Sequence, residues 1–377
     1  MQVTYVSACF DASGYAEAAR NHIAALDSVG VKVAVDPVSF EGFKSDLGKL
    51  GVLVSSMVNQ KAKNDIQILH LTPENYNRYI NRGRYNIGYC AWETDKLPEQ
   101  WIPLINQCDE LWVPCEHNVK AFKDSGITKP VFSMPHPLDL NYVEQVDASN
   151  SVFANVSDND YIFYSIFQWT ERKNPLGLLK AYLTEFDRDE NVVLVLKTYL
   201  ANPGSPQESN KIKTLIKDIK ARLYLRSYPK ILLVSSLLSR QQIQALHAEG
   251  DCFISTHRCE GFGLPIAEAM LAGNPVITTG YGGPADFVQK NKTGFPIDYR
   301  LTPCYGMPWP TYTGKMLWAD PDVMNTREHM RYIYENQEKA KLIGCQGQEF
   351  LKKNYNWEIL GNKMKNRLLE IEGKLNG

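Results

Sequence analysis

Two glutamates on a predicted loop are the residues of this sequence best placed to do chemistry. Glu260 and Glu268 have seven residues between them, and the intervening GFGLP carries two glycines and a proline. Before them, CFIS is a short apolar run typical of a buried strand. After them, IAEAMLA is typical of a helix that begins near Pro265 and ends before Gly273. We therefore predict that both carboxylates lie at the carboxyl end of a strand, where open α/β sheets bind ligands.

The predicted loop has the properties of a site for a phosphate with neighbouring hydroxyl groups. Its two glycines allow a ligand to approach the backbone closely, and the N–H groups at a helix start favour an anion. Two carboxylates would repel that anion, so their natural partners are hydroxyl groups, which donate charge-assisted hydrogen bonds to them. Phosphate beside hydroxyl groups is the chemistry of a sugar nucleotide. The alternative is an ordinary helix start with acidic residues in its first turn.

The run EGFGLPIAEAMLAGNPVITTGYGGPADFV resembles the motif of retaining GT-B glycosyltransferases of the family 4 type (glycosyl transferases group 1), including its E-x7-E core. That resemblance implies that Glu260 lies beside the transferred sugar and that Glu268 contacts the nucleotide ribose. It also implies donor contacts from the loop that follows the first glutamate, which consists of Gly261, Phe262, Gly263 and Leu264.

A pair of cations forms a second component of the predicted site. The strand-like YIFYSIF is followed by QWTERKNP, which places Arg172 and Lys173 at the carboxyl end of that strand. Cations there would hold a diphosphate and stabilise it as it leaves, so we predict Lys173 and Glu260 as catalytic and both cations as donor ligands. The family usually has an arginine some residues earlier, where this chain reads FQW. Either Arg172 replaces it or the diphosphate has fewer cationic contacts; the alternative is a solvated helix start.

The first half of the chain supplies further candidates. Gly14 in SGYAEAAR begins a predicted helix, and the resemblance implies that its backbone approaches the donor phosphate. Trp92 and Glu93 in YCAWETDKLPEQW, a motif that resembles one branch of the family, end a predicted strand and are acceptor-side candidates. The alternative for Trp92 is packing between domains. His136 in MPHPLD resembles the Pro-His that closes the first domain in the family, with a purely structural role as its alternative.

Alternating strand and helix patterns in both halves predict an α/β protein with parallel sheets. The resemblance implies a GT-B fold, with two Rossmann-like doubly wound parallel-sheet domains facing each other across a cleft. A length of 377 residues suits two domains, and the polar DASNSVFANVSDND at 147–160 predicts the linker. We therefore predict domains at 1–150 and 151–356. The resemblance implies that the first is the acceptor-side domain, joined by a C-terminal helix at about 357–377, and that the second is the donor-side domain.

Composition excludes several classes of protein. Hydrophobic residues make up 44% and charged residues 22%, which is typical of soluble globular proteins. A net charge of −1 gives no argument for nucleic-acid binding. No apolar run reaches the about 18 residues of a membrane span, and MQVTYVSACF has no basic leader, so we expect no secretory signal. We predict a cytoplasmic protein, with weak peripheral contact of KIKTLIKDIKARLYLR with an anionic membrane surface as the alternative.

One motif suggests a metal site. Asp158-Asn159-Asp160 matches D-x-D, the metal motif of another transferase fold, but it precedes a strand instead of ending one. We therefore predict a turn there. We expect no catalytic metal and no cofactor beyond the nucleotide-sugar donor.

The predicted function is a retaining, metal-independent glycosyltransferase. It would move a hexosyl group from a UDP- or GDP-sugar to a hydroxyl group of a glycan, a lipid-linked glycan or another acceptor. Two alternatives stay open. One is a catalytically silent GT-B protein that binds nucleotide or glycan and acts through partners. The other is a Rossmann-type oxidoreductase or epimerase, which would need the glycine-rich dinucleotide loop that FDASGYA lacks.

Overall fold

The computed structural model describes residues 1–11, 13–39, 47–58, 60, 65–140, 151–153 and 156–377. The chain divides into two compact units, the first comprising Met1–Leu140 with Lys352–Gly377 and the second Asn141–Leu351. Each unit is built around a six-stranded sheet. The predicted domain limit at residue 150 lies outside the described residues.

The first unit has a parallel sheet with helices in the connections. The strand order is β2-β1-β3-β4-β5-β6. Helix α1 begins where the Ser13 side chain accepts a hydrogen bond from the backbone of Ala16. The strands are β1 (Gln2–Ser7), β2 (Lys32–Pro37), β3 (Ile66–His70), β4 (Tyr85–Tyr89), β5 (Glu110–Val113) and β6 (Val131–Ser133), and the helices are α1 (Gly14–Ser28), α2 (Gly48–Ser56), α3 (Tyr76–Tyr79), α4 (Ile102–Ile105) and α5 (Glu116–Asp124).

The second unit repeats this architecture and adds an antiparallel hairpin. The order of its parallel strands is β12-β11-β10-β7-β8-β9, and β13 pairs with β14. The strands are β7 (Tyr161–Gln168), β8 (Val192–Tyr199), β9 (Lys230–Val234), β10 (Cys252–Ser255), β11 (Val276–Thr279), β12 (Phe295–Ile297), β13 (Tyr299–Pro303) and β14 (Leu317–Pro321). The helices are α6 (Pro175–Glu185), α7 (Pro206–Leu223), α8 (Arg240–Glu249), α9 (Leu264–Leu271), α10 (Val323–Glu335) and α11 (Gln337–Asn354).

Burial explains why the strands of the second unit are so apolar. Strands β7 and β8 are buried along almost their whole length, on both faces. A parallel sheet covered by helices on both sides needs such continuous apolar runs instead of an alternating pattern. This is why YIFYSIF could be recognised as a strand from its hydrophobic pattern alone.

The last helix, α12 (Trp357–Asn376), packs within the first unit. A side chain at Gly361 would clash with the carbonyl group of Ala25, so this glycine allows α12 to lie close against α1. Lys365 donates from Nζ to the Val29 carbonyl oxygen at 2.7 Å. Across the described part of the chain, no helix combines the length and apolar character needed to cross a membrane.

Candidate functional site

The predicted cationic loop and the first predicted glutamate meet at the carboxyl ends of β7 and β10, which are neighbours in the sheet. After β7, a short 3-10 turn at Glu171–Lys173 and the left-handed Asn174 (φ 52°) lead the chain into α6. This turn places Lys173 Nζ against Glu260 Oε1. Arg172 Nη1 lies 3.2 Å from Glu260 Oε2 and 3.0 Å from the Cys259 carbonyl oxygen. Three predicted site residues therefore form one charged cluster.

The charge of this cluster is set by the two cations. Glu260 is only 9% exposed. Burial raises the pKa of its carboxyl group, but the charges of Lys173 and Arg172 outweigh burial and hold that pKa at about 2. The carboxylate is therefore ionised at neutral pH, and two cations with one carboxylate leave one net positive charge. Such a cluster suits an anionic ligand such as a diphosphate.

Glycines allow the loop that carries Glu260 to rest on a neighbouring turn. Gly263 adopts φ 94° at the start of α9, and Gly282 adopts φ 79° in the turn after β11. Gly283 donates its backbone N–H to the Glu260 carbonyl oxygen at 2.8 Å. A Cβ atom at Gly283 would lie 2.5 Å from the Cα atom of Phe262, so the two backbones touch. The turn after β11 thus supports the loop that positions Glu260.

Gly283→Ala is expected to displace this loop and to destabilise the second unit, because the added methyl group overlaps backbone atoms that have no room to move. Overpacking of this kind costs about 1–3 kcal/mol. Gly373→Ala is the matched control, since a Cβ there meets nothing within 4 Å and alanine favours the helix. The midpoint of thermal unfolding measures both variants. Equal midpoints for the two variants would mean that the close backbone contact at Gly283 does not contribute to stability.

The second predicted glutamate lies on α9, on the same strand-loop-helix connection. The side chain of Glu268 is 19% exposed, and its Oε2 lies 3.8 Å from Nε2 of the fully buried His247. Residues 261–267 connect it to Glu260, and among them Phe262 packs its ring 5.3 Å from that of Phe287. The E-x7-E segment therefore presents both carboxylates from one buried, well-packed connection.

The candidates from the first half of the sequence, one on the donor side and three on the acceptor side, lie in the first unit. Gly14 is exposed and begins α1, as predicted from the sequence. Trp92 is only 3% exposed. Its Nε1 donates to Thr94 Oγ1 and to the Lys96 carbonyl oxygen, both at 2.7 Å. The Trp92 ring also packs against that of Trp101, with 4.6 Å between the ring centroids, whereas the neighbouring Glu93 is half-buried.

His136 belongs to a cluster of three buried histidines that the sequence did not predict. The ring of His22, on α1, lies 5.5 Å from that of His70 and 5.4 Å from that of His136. The Tyr89 hydroxyl group lies 3.0 Å from His136 Nδ1. Burial lowers the pKa of all three histidines, that of His22 to about 4. These residues are scattered along the sequence, and only the tertiary fold brings them together.

The histidine cluster makes the stability of the first unit depend on pH. Below pH 6.5 the unfolded chain binds protons at these positions, whereas the folded unit does not, so stability falls as pH decreases towards 4. With a folded pKa of about 4, His22 alone accounts for a loss of about 2 kcal/mol between pH 7.5 and pH 5. Urea unfolding at the two pH values measures this loss, and His22→Leu should reduce it. A free energy of unfolding that is the same at both pH values would contradict the expected effect.

Two cationic residues of the second unit were missed in the sequence. Arg258 joins the cationic turn to the hairpin, because its guanidinium group lies 3.2 Å from Glu171 and 2.5 Å from Asp320 of β14. Lys197 lies near the carboxyl end of β8 and is 6% exposed. Burial lowers its pKa to about 8, and no carboxylate of the described residues forms an ion pair with it. A single lysine inside the apolar NVVLVLKTY is the signal that could have identified it.

The D-x-D segment forms a turn, as predicted. The Asp160 backbone N–H donates to the Ser157 carbonyl oxygen at 2.9 Å. Its carboxylate accepts from Lys230 Nζ, also at 2.9 Å. The side chain of Asp160 therefore stabilises the start of β7.

Comparison with known protein families finds a match to part of the second unit. The family model described as Glycosyl transferases group 1 matches residues 148–300. This segment includes the cationic turn, the E-x7-E segment and the glycine turn after β11.

Three relatives show how far sequence similarity extends. A sucrose synthase of Melioribacter roseus is 26% identical over 170 residues, which cover 40% of this chain and 21% of the relative. An uncharacterised protein of Sulfolobus islandicus rod-shaped virus 1 is 23% identical over 224 residues, which cover 59% of each chain. A sulfoquinovosyl transferase of Arabidopsis thaliana is 26% identical over 132 residues, covering 34% of this chain and 22% of the relative. The chain spans only about a fifth of the sucrose synthases that it matches.

Solved structures resemble the whole chain. Anabaena HepE in complex with UDP and glucose has a TM-score of 0.66 at 15% identity, covering 98% of this chain and all of HepE. Sucrose-phosphate synthase from Thermosynechococcus elongatus has a TM-score of 0.67 at 14% identity, covering 99% of this chain and all of that structure. These similarities, with the two six-stranded parallel sheets, confirm the predicted GT-B fold class.

Proposed function

We propose that this chain is a glycosyltransferase that uses a nucleotide-diphosphate sugar as donor and a hydroxyl-bearing glycan or glycolipid as acceptor. The observation that carries this proposal is the cluster of Lys173, Arg172 and Glu260 at the carboxyl ends of two neighbouring parallel strands. The glycosyl transferases group 1 domain in the same segment supports it. UDP is the favoured nucleotide, because Anabaena HepE, which shares the fold, has been crystallised with UDP and with UDP-glucose.

The cations stabilise the leaving group. When the bond between the sugar and the diphosphate breaks, negative charge develops on the diphosphate, and groups that already face this position lower the barrier. Lys173 and Arg172 are held in place by Glu260, so little reorganisation is needed at the moment of reaction. The chain's own cations thus supply the charge that a metal ion supplies in other transferases, and we propose a metal-independent reaction.

The two glutamates have different tasks in this proposal. The ionised Glu260 orients the donor sugar or stabilises the positive charge that grows at its anomeric carbon. Glu268 accepts hydrogen bonds from the ribose hydroxyl groups, which a carboxylate binds with charge assistance. Attack of the acceptor on the same face as the departing diphosphate, with that phosphate as base, would retain the anomeric configuration. We do not assign Glu260 as a nucleophile.

The first unit supplies the acceptor side of the reaction. We assign Glu93 to contacts with acceptor hydroxyl groups, because it is half-buried and lies in the connection that follows β4. We assign the backbone of Gly14, which is exposed, to the donor phosphate, as the resemblance implies. Trp92 shapes the loop that carries Glu93 through its hydrogen bonds to Thr94 and Lys96. His136 supports this part of the unit from within the buried histidine cluster.

A silent nucleotide-binding protein is the second candidate, and turnover separates the two. We expect the protein to release UDP from UDP-glucose, UDP-galactose or UDP-N-acetylglucosamine when a glycan acceptor is present, equally well with and without EDTA. Nuclear magnetic resonance should show that the transferred sugar has the same anomeric configuration in the product as in the donor. UDP binding without nucleotide release from any of these donors, or from GDP-mannose, would favour the silent protein; a product of inverted configuration would contradict retention.

A further inference from the structure

Behind Glu268 lies a buried polar network to which the proposed reaction gives no role. His247, on α8, is fully buried, and its Nε2 faces Glu268 Oε2 at 3.8 Å. Its other ring nitrogen, Nδ1, lies 3.0 Å from the hydroxyl oxygen of Tyr164, which is also fully buried and belongs to β7. The imidazole ring therefore connects the centre of the sheet with a carboxylate at the proposed ribose site.

The orientation of the next residue in the network is fixed by a lysine. Lys341 Nζ lies 3.3 Å from Asn274 Oδ1. Because an ammonium group only donates hydrogen bonds, this contact identifies the amide oxygen of Asn274. Its amide nitrogen then donates to the Tyr164 hydroxyl oxygen at 2.9 Å and to the His247 carbonyl oxygen at 2.5 Å. The hydroxyl oxygen of Tyr164 thus already accepts a hydrogen bond from Asn274.

This arrangement determines which nitrogen of His247 carries the proton. The Tyr164 hydroxyl group has one proton to donate, and among the described residues His247 Nδ1 is the acceptor within hydrogen-bond distance. If Nδ1 were protonated instead, the buried hydroxyl proton would lose its acceptor, which costs about 1–3 kcal/mol. His247 therefore accepts at Nδ1 and carries its proton on Nε2, the atom that faces Glu268.

We propose that His247 is a positioning residue for nucleotide binding, which holds the Glu268 carboxylate through its Nε2–H so that the other carboxylate oxygen meets the ribose. This inference rests on the proposed role of Glu268. A glutamate side chain loses considerable rotamer freedom when it is fixed by a ligand, and a side chain that is already oriented avoids part of that loss on binding. At 3.8 Å the contact is longer than a hydrogen bond. Hydrogen bonds at active sites are often long without ligand and shorten in the complex, and the proposal requires this of the contact between His247 and Glu268.

A matched pair of variants tests the donor at Nε2. The amide nitrogen of His247→Gln reaches the position of Nε2, whereas the amide of His247→Asn reaches only the position of Nδ1. We expect His247→Asn to raise the Kd for UDP about five- to tenfold, because the hydrogen-bond donor to a charged group is lost, and His247→Gln to stay within about twofold. Isothermal calorimetry with UDP measures both values, and thermal unfolding without ligand shows whether the variants are equally stable. A purely structural role predicts similar losses for both variants.

A double-mutant cycle with Glu268 separates the inference from the function on which it rests. In the Glu268→Gln background, His247→Asn should cause no further loss of UDP affinity, because the two residues act as one unit. If Glu268→Gln alone leaves the affinity unchanged, the proposed ribose contact is wrong. If Glu268→Gln weakens binding, but His247→Asn has no effect or has the same effect in both backgrounds, the proposed function stands and the role of His247 is refuted.

Tyr164→Phe provides a test should the His247 variants fail to fold. It keeps the ring that packs 5.6 Å from His247 and removes only the hydroxyl group that fixes the proton on Nε2. We expect the UDP affinity of Tyr164→Phe to be about two- to threefold lower than that of the wild-type protein. The ¹⁵N resonances of His247 should show a ring protonated on Nε2 in the wild-type protein but not in Tyr164→Phe. Wild-type affinity in Tyr164→Phe, or a ring protonated on Nδ1 in the parent, would overturn the inference.

Discussion

Glu260→Gln is expected to lower the turnover of the nucleotide sugar about a hundredfold or more, while the affinity for UDP stays equal or rises. The substitution preserves the shape of the side chain and removes its charge. Glu260 is ionised because Lys173 and Arg172 hold its pKa at about 2, so the charge is present throughout the working pH range. Without it, both cations are less neutralised and attract the diphosphate at least as strongly, but the developing charge on the sugar loses its counterpart.

Turnover and UDP affinity of Glu260→Gln therefore have to be measured together, with steady-state kinetics and calorimetry. Glu338→Gln, an exposed glutamate on α11 of the same unit, is the control for loss of one negative charge. Equal falls in affinity and turnover would mean that Glu260 serves binding and not the chemical step. Normal turnover would remove Glu260 from the mechanism altogether.

Lys173→Met is expected to lower both UDP affinity and turnover, the latter about 10²–10³-fold, because it removes a group that stabilises the departing diphosphate. It should also destabilise the second unit by about 2–4 kcal/mol, since Glu260 loses the closer of its two cations while it stays buried. Steady-state kinetics and urea unfolding measure the two effects. Lys180→Met, an exposed lysine on α6, is the matched control and should change neither.

The double variant Lys173→Met/Glu260→Gln distinguishes the two effects of the lysine. Removing the carboxylate as well should restore part of the stability, because no uncompensated charge stays buried, but activity should not return. Stability equal to that of Lys173→Met alone would contradict the ion pair between Lys173 and Glu260. Recovery of activity would contradict the role of Lys173 at the diphosphate.

The sequence predicts the local parts of this site well because their signals are local. The strand before Glu260, the glycine-rich loop and the helix start all lie within one short segment, and hydrophobic pattern and turn residues define them. The contact of Glu260 with Lys173, in contrast, is between residues that are far apart in the sequence. It depends on β7 and β10 being neighbours, although β8 and β9 lie between them in the chain, and the sequence alone does not determine that order.

Burial and contacts between distant parts of the chain explain the remaining differences between the sequence-based predictions and the structure. For Trp92 the sequence allowed either a sugar contact or packing between domains; its side chain is only 3% exposed, and its indole N–H donates to Thr94 and Lys96. The His247 network was not predicted, because its members come from β7, α8, α11 and the turn after α9. The β13–β14 hairpin was missed because β13 is short and largely exposed, so it lacks the buried apolar run that identified the neighbouring strands.

Binding of a nucleoside diphosphate to the second unit is the central claim, and thermal unfolding with UDP, GDP and ADP tests it most directly. A ligand that binds only the folded protein stabilises it by about 2.7 kcal/mol at a hundred times its Kd. We predict that UDP raises the unfolding midpoint of the wild-type protein and that Glu268→Ala loses most of this shift, because the carboxylate that meets the ribose is gone. No shift with any of the three nucleotides at millimolar concentration, or an equal UDP shift in Glu268→Ala, would contradict the site described here.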